Sequence, residues 1–420
     1  MKNEIKLNPA IKTVLVIGYV WPEPKSSAAG SHILSQLVYF RNQNCRVIFA
    51  TPSQQTDHMI DLSEFGIESV EIELNNSSFD NFVAKLNPQL VLFDRFMMEE
   101  QFGWRVEQAC PNAMRVIDTE DLQSLRGARQ EALKQGEKFT TARMKGSDLA
   151  KREIAAIFRS DLSLIISEFE LTLLQKDFGI SPKLLAHLPF LIDNQFDSSN
   201  LPSFEQRNHF VTIGNFRHAP NWDSVLYLQK IWPLIRKQIP DAELHIYGSY
   251  PPKKATQLNN PKTGFLVKGW AEDANEVIKN ARVLLSPLRF GAGIKGKLID
   301  AMLNGTPSVT TDIGAEGMAG NLPWPGCVEN DEQFIADAAV HLYQNKEAWE
   351  QAQSRITPIL SNRYSKSDLL NNLTNKINEI FENLSNHRIE NFVGAMLMHH
   401  TMKSTQFMSK WIETKNRFEE

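Results

Sequence analysis

Cysteine is scarce in this chain of 420 residues: three in all, Cys45, Cys110 and Cys327, far apart and odd in number. Such a set builds no disulfide framework and no cysteine-based metal site, and it fits free thiols in a reducing compartment. Long apolar runs are missing as well. Nothing reaches the ~18 residues expected of a membrane-spanning helix, and the opening MKNEIKLNPAIK lacks the apolar centre of a secretory signal. Charge of one sign is not in excess. With 45 Lys and Arg against 49 Asp and Glu, the net charge is −4, so nothing global points to nucleic acid. No internal repeat or low-complexity tract is found, and no Gly-x-Gly-x-x-Gly follows Ile17, which counts against a dinucleotide oxidoreductase. His399-His400 has no companion ligands in sequence, so no metal and no other cofactor is expected. These exclusions leave a cytoplasmic enzyme of two or three domains, with peripheral contact with a membrane left open.

What is present is an alternating α/β pattern. Near-continuous apolar runs at 13–17, 47–50, 90–93, 114–117, 162–167 and 184–189 predict buried parallel strands separated by helices. The polar stretch Pro189–Asn208, broken by Pro202, reads as a linker. The pattern restarts at 210–213 and continues at 244–248, 265–270, 283–285 and 308–310. Helices are predicted at 331–342, 347–360, 366–384 and 390–412. The last carries Phe392, Met396, Met398, Met402, Phe407, Met408, Trp411 and Ile412, which suit docking on another part of the fold.

Three places carry candidate chemistry. In Ala281–Met318 a short strand leads through Gly291 and Gly293 into a helix with Ile294, Leu298, Ala301 and Met302 on its inner face. Gly293, Lys297 and Asp300 share its other side. A strand, a glycine loop and a helix start together make an anion seat. Lys295 and Lys297 oppose the helix dipole, as expected if an anion binds there, and Asp300 could accept hydrogen bonds from vicinal hydroxyls. A solvated lysine pair on an ordinary strand–helix unit also fits. The second place is the turn Gly214-Asn215-Phe216-Arg217, again between a strand tip and a helix start, with His218 and Asn221 close by. The third is Asp118-Thr119-Glu120-Asp121 at a strand tip, followed by Arg126 and Arg129. Strand tips face the ligand crevice in such sheets, which favours a functional Asp118. Glu120 and Arg129 read more simply as a charged helix start. The basic run from Arg126 to Arg159 is either a solvated helical face or a surface for an anionic acceptor or lipid headgroups. Ala29-Gly30 could simply serve a turn, and His187 reads as a packed residue.

The segment GAGIKGKLIDAM…GTPSVTT…GAEGM resembles the donor-binding region of family-4 glycosyltransferases, enzymes of the GT-B fold. The similarity is strong over Phe210–Met318 and weaker before it. That family usually has Glu-x7-Glu here. Asp300 stands at the second glutamate and Ala292 at the first, as in a branch with a GAGIKxK loop whose lysines contact the diphosphate. The resemblance implies two Rossmann-like doubly wound domains facing each other across a cleft. Residues 1–200 would bind the acceptor, 201–388 the nucleotide-sugar, and 389–420 would cross back as a helix onto the first domain. It implies a retaining, metal-independent transferase that moves a sugar from a nucleotide-sugar to a sugar, glycolipid or protein acceptor. Arg217, Lys295, Lys297 and Asp118 would act at the reaction centre. Gly30, Gly214, Asn215, Asn221, Gly248, Trp270, Gly291, Gly293, Ile294, Gly296 and Asp300 would line the donor site. DTED is similar to the Asp-x-Asp metal motif of the other glycosyltransferase fold, but the βα units argue against that fold. Ala292, and Ala29-Gly30 in place of a fuller glycine loop, depart from the family pattern. Two other classes therefore stay open: a GT-B nucleotide-sugar epimerase, and a non-catalytic nucleotide-binding or scaffold module.

Overall fold

The structure, a computed structural model, describes residues 5–193 and 201–419. The first sheet has seven parallel strands: β1 Thr13–Ile17, β2 Arg46–Thr51, β3 Glu68–Glu71, β4 Leu90–Asp94, β5 Met114–Asp118, β6 Leu162–Ile165 and β7 Leu185–His187. They run in the order β3-β2-β1-β4-β5-β6-β7. The second has six: β8 Asn208–Ile213, β9 Leu244–Tyr247, β10 Phe265–Gly269, β11 Ala281–Ser286, β12 Ser308–Thr310 and β13 Gly326–Val328, ordered β10-β9-β8-β11-β12-β13. Helices cover both faces of each sheet, so the central strands are apolar throughout; Val14, Leu15, Val16 and Ile17 are fully buried. Each sheet reverses its order once, between β1 and β4 and between β8 and β11. A ligand crevice opens at the carboxyl ends of such strands.

Two strands escaped the sequence reading. β3 (ESVE) and β13 (GCV) lie at sheet edges. An edge strand is held by backbone pairing on one side only, so an apolar run is not required of it. The basic stretch after Arg126 is three helices, Gln123–Gln135, Thr141–Gly146 and Asp148–Arg159. Its cations are mostly matched: Arg143 with Glu137, Lys151 with Asp148, Arg152 with Glu100 and Lys145 with Asp177. That pairing leaves little unbalanced charge for an anionic acceptor.

The return to the first domain begins earlier than expected. Ile192 bridges to Ser365, and helix Lys366–Glu382 then places Leu373, Ile377 and Ile380 in the core around β1 and β2. Tyr39 and Thr374 hydroxyls are 2.7 Å apart. Arg388 is tied to Asp161 at 2.8 Å. The final helix, Phe392–Glu419, lies on helices Phe96–Ala109 and Asp148–Arg159. The crossing segment thus starts near residue 366 rather than 389, because the apolar face of 366–382 fits the first core. Residues 194–200, in the expected linker and at the expected boundary at 200, lie outside the described residues. So do the side chains of His400 and Met402.

Candidate active site between the two domains

Three helices start at the strand tips that face each other: Ala28–Asn42 in the first domain, Ala219–Gln238 and Gly296–Leu303 in the second. The starts are close enough that a Cβ on Gly296 would lie 2.3 Å from the Cβ of Ala28. The Lys297 ammonium donates to Asn221 Oδ1 at 2.8 Å, and Asn221 Nδ2 donates to the Asn215 carbonyl at 3.0 Å. A Cβ on Gly214 would stand 2.7 Å from Asn221 and 2.9 Å from the Lys297 ammonium. Gly214, Asn215, Asn221 and Lys297 therefore form one wall, and a glycine is needed for it to close. Burial pushes Lys297 down to about 8, with Asp300 opposing, and pushes Asp300 up to about 7, with Lys297 opposing.

Other expected donor contacts stand elsewhere. Arg217 is exposed at the cleft mouth, its guanidinium 3.6 Å from the centroid of the Tyr250 ring; Tyr250 in turn donates to Glu23 at 3.0 Å. Trp270 stacks on His58 of the first domain at 4.3 Å. The Ser26 hydroxyl meets Ser249 at 3.0 Å and Asn215 Nδ2 at 3.3 Å, so this side of the cleft is closed by direct contacts. Gly30 is a packing residue: a Cβ there would strike the Glu23 backbone at 2.5 Å. Gly248 is another, since its Cβ would lie 2.0 Å from the Gly214 carbonyl. Ile294 belongs to the core under the donor helix, with Ile166 and Leu298.

Lys295 does not share the Lys297 wall. Lys295 is the extended residue just before the helix, φ −92° and ψ 98°, whereas Lys297 lies in its first turn; the Lys295 ammonium folds back onto the Gly293 carbonyl at 2.8 Å, almost fully buried. Burial lowers it to about 8, opposed by the Glu316 charge. It stands within a second cluster that locks the domains together. Arg129 grips Glu316 with both terminal nitrogens, at 2.8 and 2.7 Å, and donates to the Gly291 carbonyl at 2.9 Å. Glu170 Oε1 accepts from Gly293 N at 2.7 Å and Leu122 N at 3.0 Å, while Oε2 is buried with no hydrogen-bond partner. Burial, with the Asp121 charge adding to it, lifts the Glu170 carboxyl to about 8. Gly293 has φ +63° and presses on Asp121, where a Cβ would come to 2.9 Å. Arg129 is thus a buried link across the cleft, not a surface partner on its own helix.

Asp118 is fully buried and spends both oxygens internally. Oδ1 accepts from Glu120 N at 2.9 Å; Oδ2 accepts from Gln36 Nε2 and faces His32 Nδ1 at 3.4 Å. His32 Nδ1 is also 3.4 Å from Glu120, and its Nε2 meets the Leu188 carbonyl at 3.1 Å. Burial opposes the imidazolium, but Asp118 and Glu120 outweigh it and hold His32 well above its ordinary value. Asp118, disfavoured as an anion by burial, is still kept below its ordinary value by His32 and Gln36. Asp118 therefore positions Glu120, which has φ +60°, instead of facing the crevice itself. His32, Asp118 and Glu120 each offer one ligand atom within 4.8 Å of the others. A protonated His32 balances this cluster; a divalent cation could do so too. The side chain at the β1–β4 switch point is Asp94. Its Oδ2 accepts from Tyr19 N at 3.0 Å, and Oδ1 is buried without a hydrogen-bond partner. Burial, opposed by the Arg95 charge, raises it to about 6.

The sequence reading missed His32, Asp94, Glu170 and Glu316. Asp94 ends an apolar run as Asp118 does, and Glu316 lies inside GAEGM, so both had a signal. His32 and Glu170 had none, since their partners are distant in sequence.

Residues 207–345 match the family model described as glycosyl transferases group 1. A 170-residue segment is 27% identical to a Klebsiella pneumoniae protein described as an uncharacterized 44.6 kDa protein in the cps region. It takes in 39% of this chain and 43% of that protein, so the match spans less than half of the relative. Among solved structures, sucrose-phosphate synthase from Thermosynechococcus elongatus superposes with a TM-score of 0.65 at 13% identity, covering 88% of this chain and 99% of that one. Anabaena HepE in complex with UDP and glucose gives 0.61 at 13%, covering 89% and 100%. A glycosyltransferase from Rickettsia africae gives 0.63 at 13%, covering 89% and 99%. The chain has the GT-B fold, and the part of it similar in sequence to the group 1 glycosyl transferases is residues 207–345 of the second domain.

Proposed function

We propose that the protein is a retaining glycosyltransferase of the family-4 type, of the GAGIKxK donor-loop branch. It would move a sugar from a nucleoside-diphosphate sugar to a sugar, glycolipid or protein acceptor in the cytoplasm, without a metal. One observation carries the reading: the half-buried ammonium of Lys297 stands over the Gly214 turn at 2.8 Å from Asn221, where two helix starts of the second domain converge. A cation there, lowered by burial, gains most from a bound diphosphate. Asp300, one turn along, suits the hydroxyl pair of a ribose. Anabaena HepE, with UDP and glucose bound, supports this class of donor by its fold.

In the proposed reaction the bond between the anomeric carbon and the diphosphate oxygen breaks, and its electron pair stays with the diphosphate. The acceptor oxygen bonds the anomeric carbon on the same face, and its proton passes to the departing phosphate. Lys297 and the helix starts stabilise the charge that develops. Asp94, whose Oδ1 has no hydrogen bond and stands 3.6 Å from Arg95 Nε, would receive a hydroxyl of the acceptor. The contacts of Arg129, Glu316 and Glu170 across the cleft keep water from the donor.

The test is turnover of UDP-, GDP- and ADP-sugars with a panel of glycan acceptors. The anomeric configuration of the product is read by NMR. Retention of configuration with release of nucleoside diphosphate is expected. Epimerised sugar released without acceptor, or nucleotide binding with no turnover on any donor, would replace this reading with one of the other two classes.

A further inference from the structure

The last helix, Phe392–Glu419, is turned inside out. Phe392, Phe407, Trp411 and Phe418 are between 60% and 87% exposed, whereas the two buried positions among the described residues of this helix are Gly394 and Ser409. Gly394 packs on the Phe158 carbonyl, and Ser409 hydrogen-bonds Asn75 at 2.9 Å and Arg105 at 3.2 Å. Helix positions advance by about 100°, so Phe392, Met396, Phe407, Trp411 and Phe418 fall within an arc of about 100°, with Gly394 and Ser409 opposite. Cations share this face: Lys403 and Lys410 fall beside Phe392 within one side of the arc, Arg417 lies just beyond them, and Lys415 lies beyond Trp411 on the other side. Lys415 Nζ lies over the Trp411 ring, 5.9 Å from its centroid. Between 392 and 418 the sequence has one acid, Glu413, and it is committed to Arg417 at 2.7 Å and to Ser77 N at 3.1 Å.

An outward face that combines aromatic side chains with lysines toward its margins is the pattern of a helix that lies in a membrane surface. The apolar side chains would enter the acyl boundary while the flanking ammonium groups reach the headgroups. No described helix is long and apolar enough to cross a membrane. A second copy of the chain is a poorer occupant, because two-fold pairing through this face would set lysines against lysines.

We infer that helix 392–419 is the site at which the protein docks on an anionic lipid bilayer. The charge complementarity and the outward aromatic arc carry this inference, which does not depend on the catalytic reading. The test is co-sedimentation of the full chain with vesicles of phosphatidylglycerol and phosphatidylethanolamine, and with neutral phosphatidylcholine vesicles. Binding to the anionic vesicles is expected, several-fold weaker in 0.5 M salt (roughly a 4 Å Debye length) and weak on the neutral ones. The double variant F407S/W411S changes only exposed side chains. It should keep the parent melting temperature and lose at least tenfold in partitioning, as should K403E/K410E/K415E. Undiminished vesicle binding by both variants, or no binding by the parent, overturns the inference. So does a parent dimer in light scattering that F407S/W411S converts to monomer.

Discussion

Replacing Lys297 with alanine separates the two uses of one side chain. In the free protein the ammonium is disfavoured: its pKa falls from 10.5 to about 8, which corresponds to roughly 3 kcal/mol against the charged form. That figure is net of the Asp300 charge, which already opposes the burial. Lys297→Ala should therefore leave stability unchanged or slightly raised, with Asp300 becoming neutral at pH 7. Turnover is expected to behave oppositely. Loss of one prepositioned charge on a developing oxyanion removes about 3–4 kcal/mol of transition-state stabilisation, or about 10²–10³ in kcat. Lys297→Arg should not restore it, because the added bulk meets the Gly214 turn, where even a Cβ would lie 2.9 Å from the ammonium. Nucleoside diphosphate release measures the rate, and a denaturant melt measures stability. A variant that keeps more than a tenth of parental kcat, or one that loses over 2 kcal/mol of stability, refutes the assignment of Lys297 to the leaving group.

Other outcomes follow from the same geometry. Donor use requires an ionised Asp300, gained above about pH 7, and a protonated Lys297, lost above about pH 8; kcat/KM should peak between those values, and Asp300→Asn should remove the acidic limb. Glu170 keeps its proton in the folded protein to about pH 8, while an unfolded glutamate releases it near 4.5. The folded state thus holds more protons across that window, so stability falls as pH rises through it, and Glu170→Gln should flatten urea melts compared at pH 6 and 8. Arg129→Met leaves Glu316 unpaired between the domains and should lower stability by about 3 kcal/mol, whereas Arg129→Met with Glu316→Met should recover most of it; a double variant no better than the single would refute the link. Dialysis against EDTA should not change the rate. A loss restored by added Mg²⁺ or Mn²⁺ and absent in His32→Ala would instead place a cation at His32, Asp118 and Glu120.

The sequence by itself determined the local architecture. Runs such as TVLVI and LVLFD are apolar without alternation because both faces of a parallel sheet are covered, so the central strands and the α/β class were legible. The edge strands ESVE and GCV were not, since each is paired on one side only and buries its few apolar side chains only in part. The Gly214 turn and the Lys297 helix were also legible, because a glycine loop before a helix start is a local feature. Tertiary structure decided everything that depends on meeting a distant segment. Lys295 and Lys297 look equivalent in sequence, yet the helix begins between them: Lys297 in its first turn reaches the Gly214 wall, while Lys295, still extended, folds into the Arg129–Glu316 cluster. Asp118 ends its strand like Asp94, but His32 and Gln36, more than 80 residues earlier, occupy its Oδ2, whereas Asp94 keeps an oxygen that has no hydrogen bond and faces Arg95. Helical periodicity showed apolar residues at 392–412, but which face they take depends on Asn75 and Arg105, whose polar groups claim Ser409 and turn the aromatic side outward.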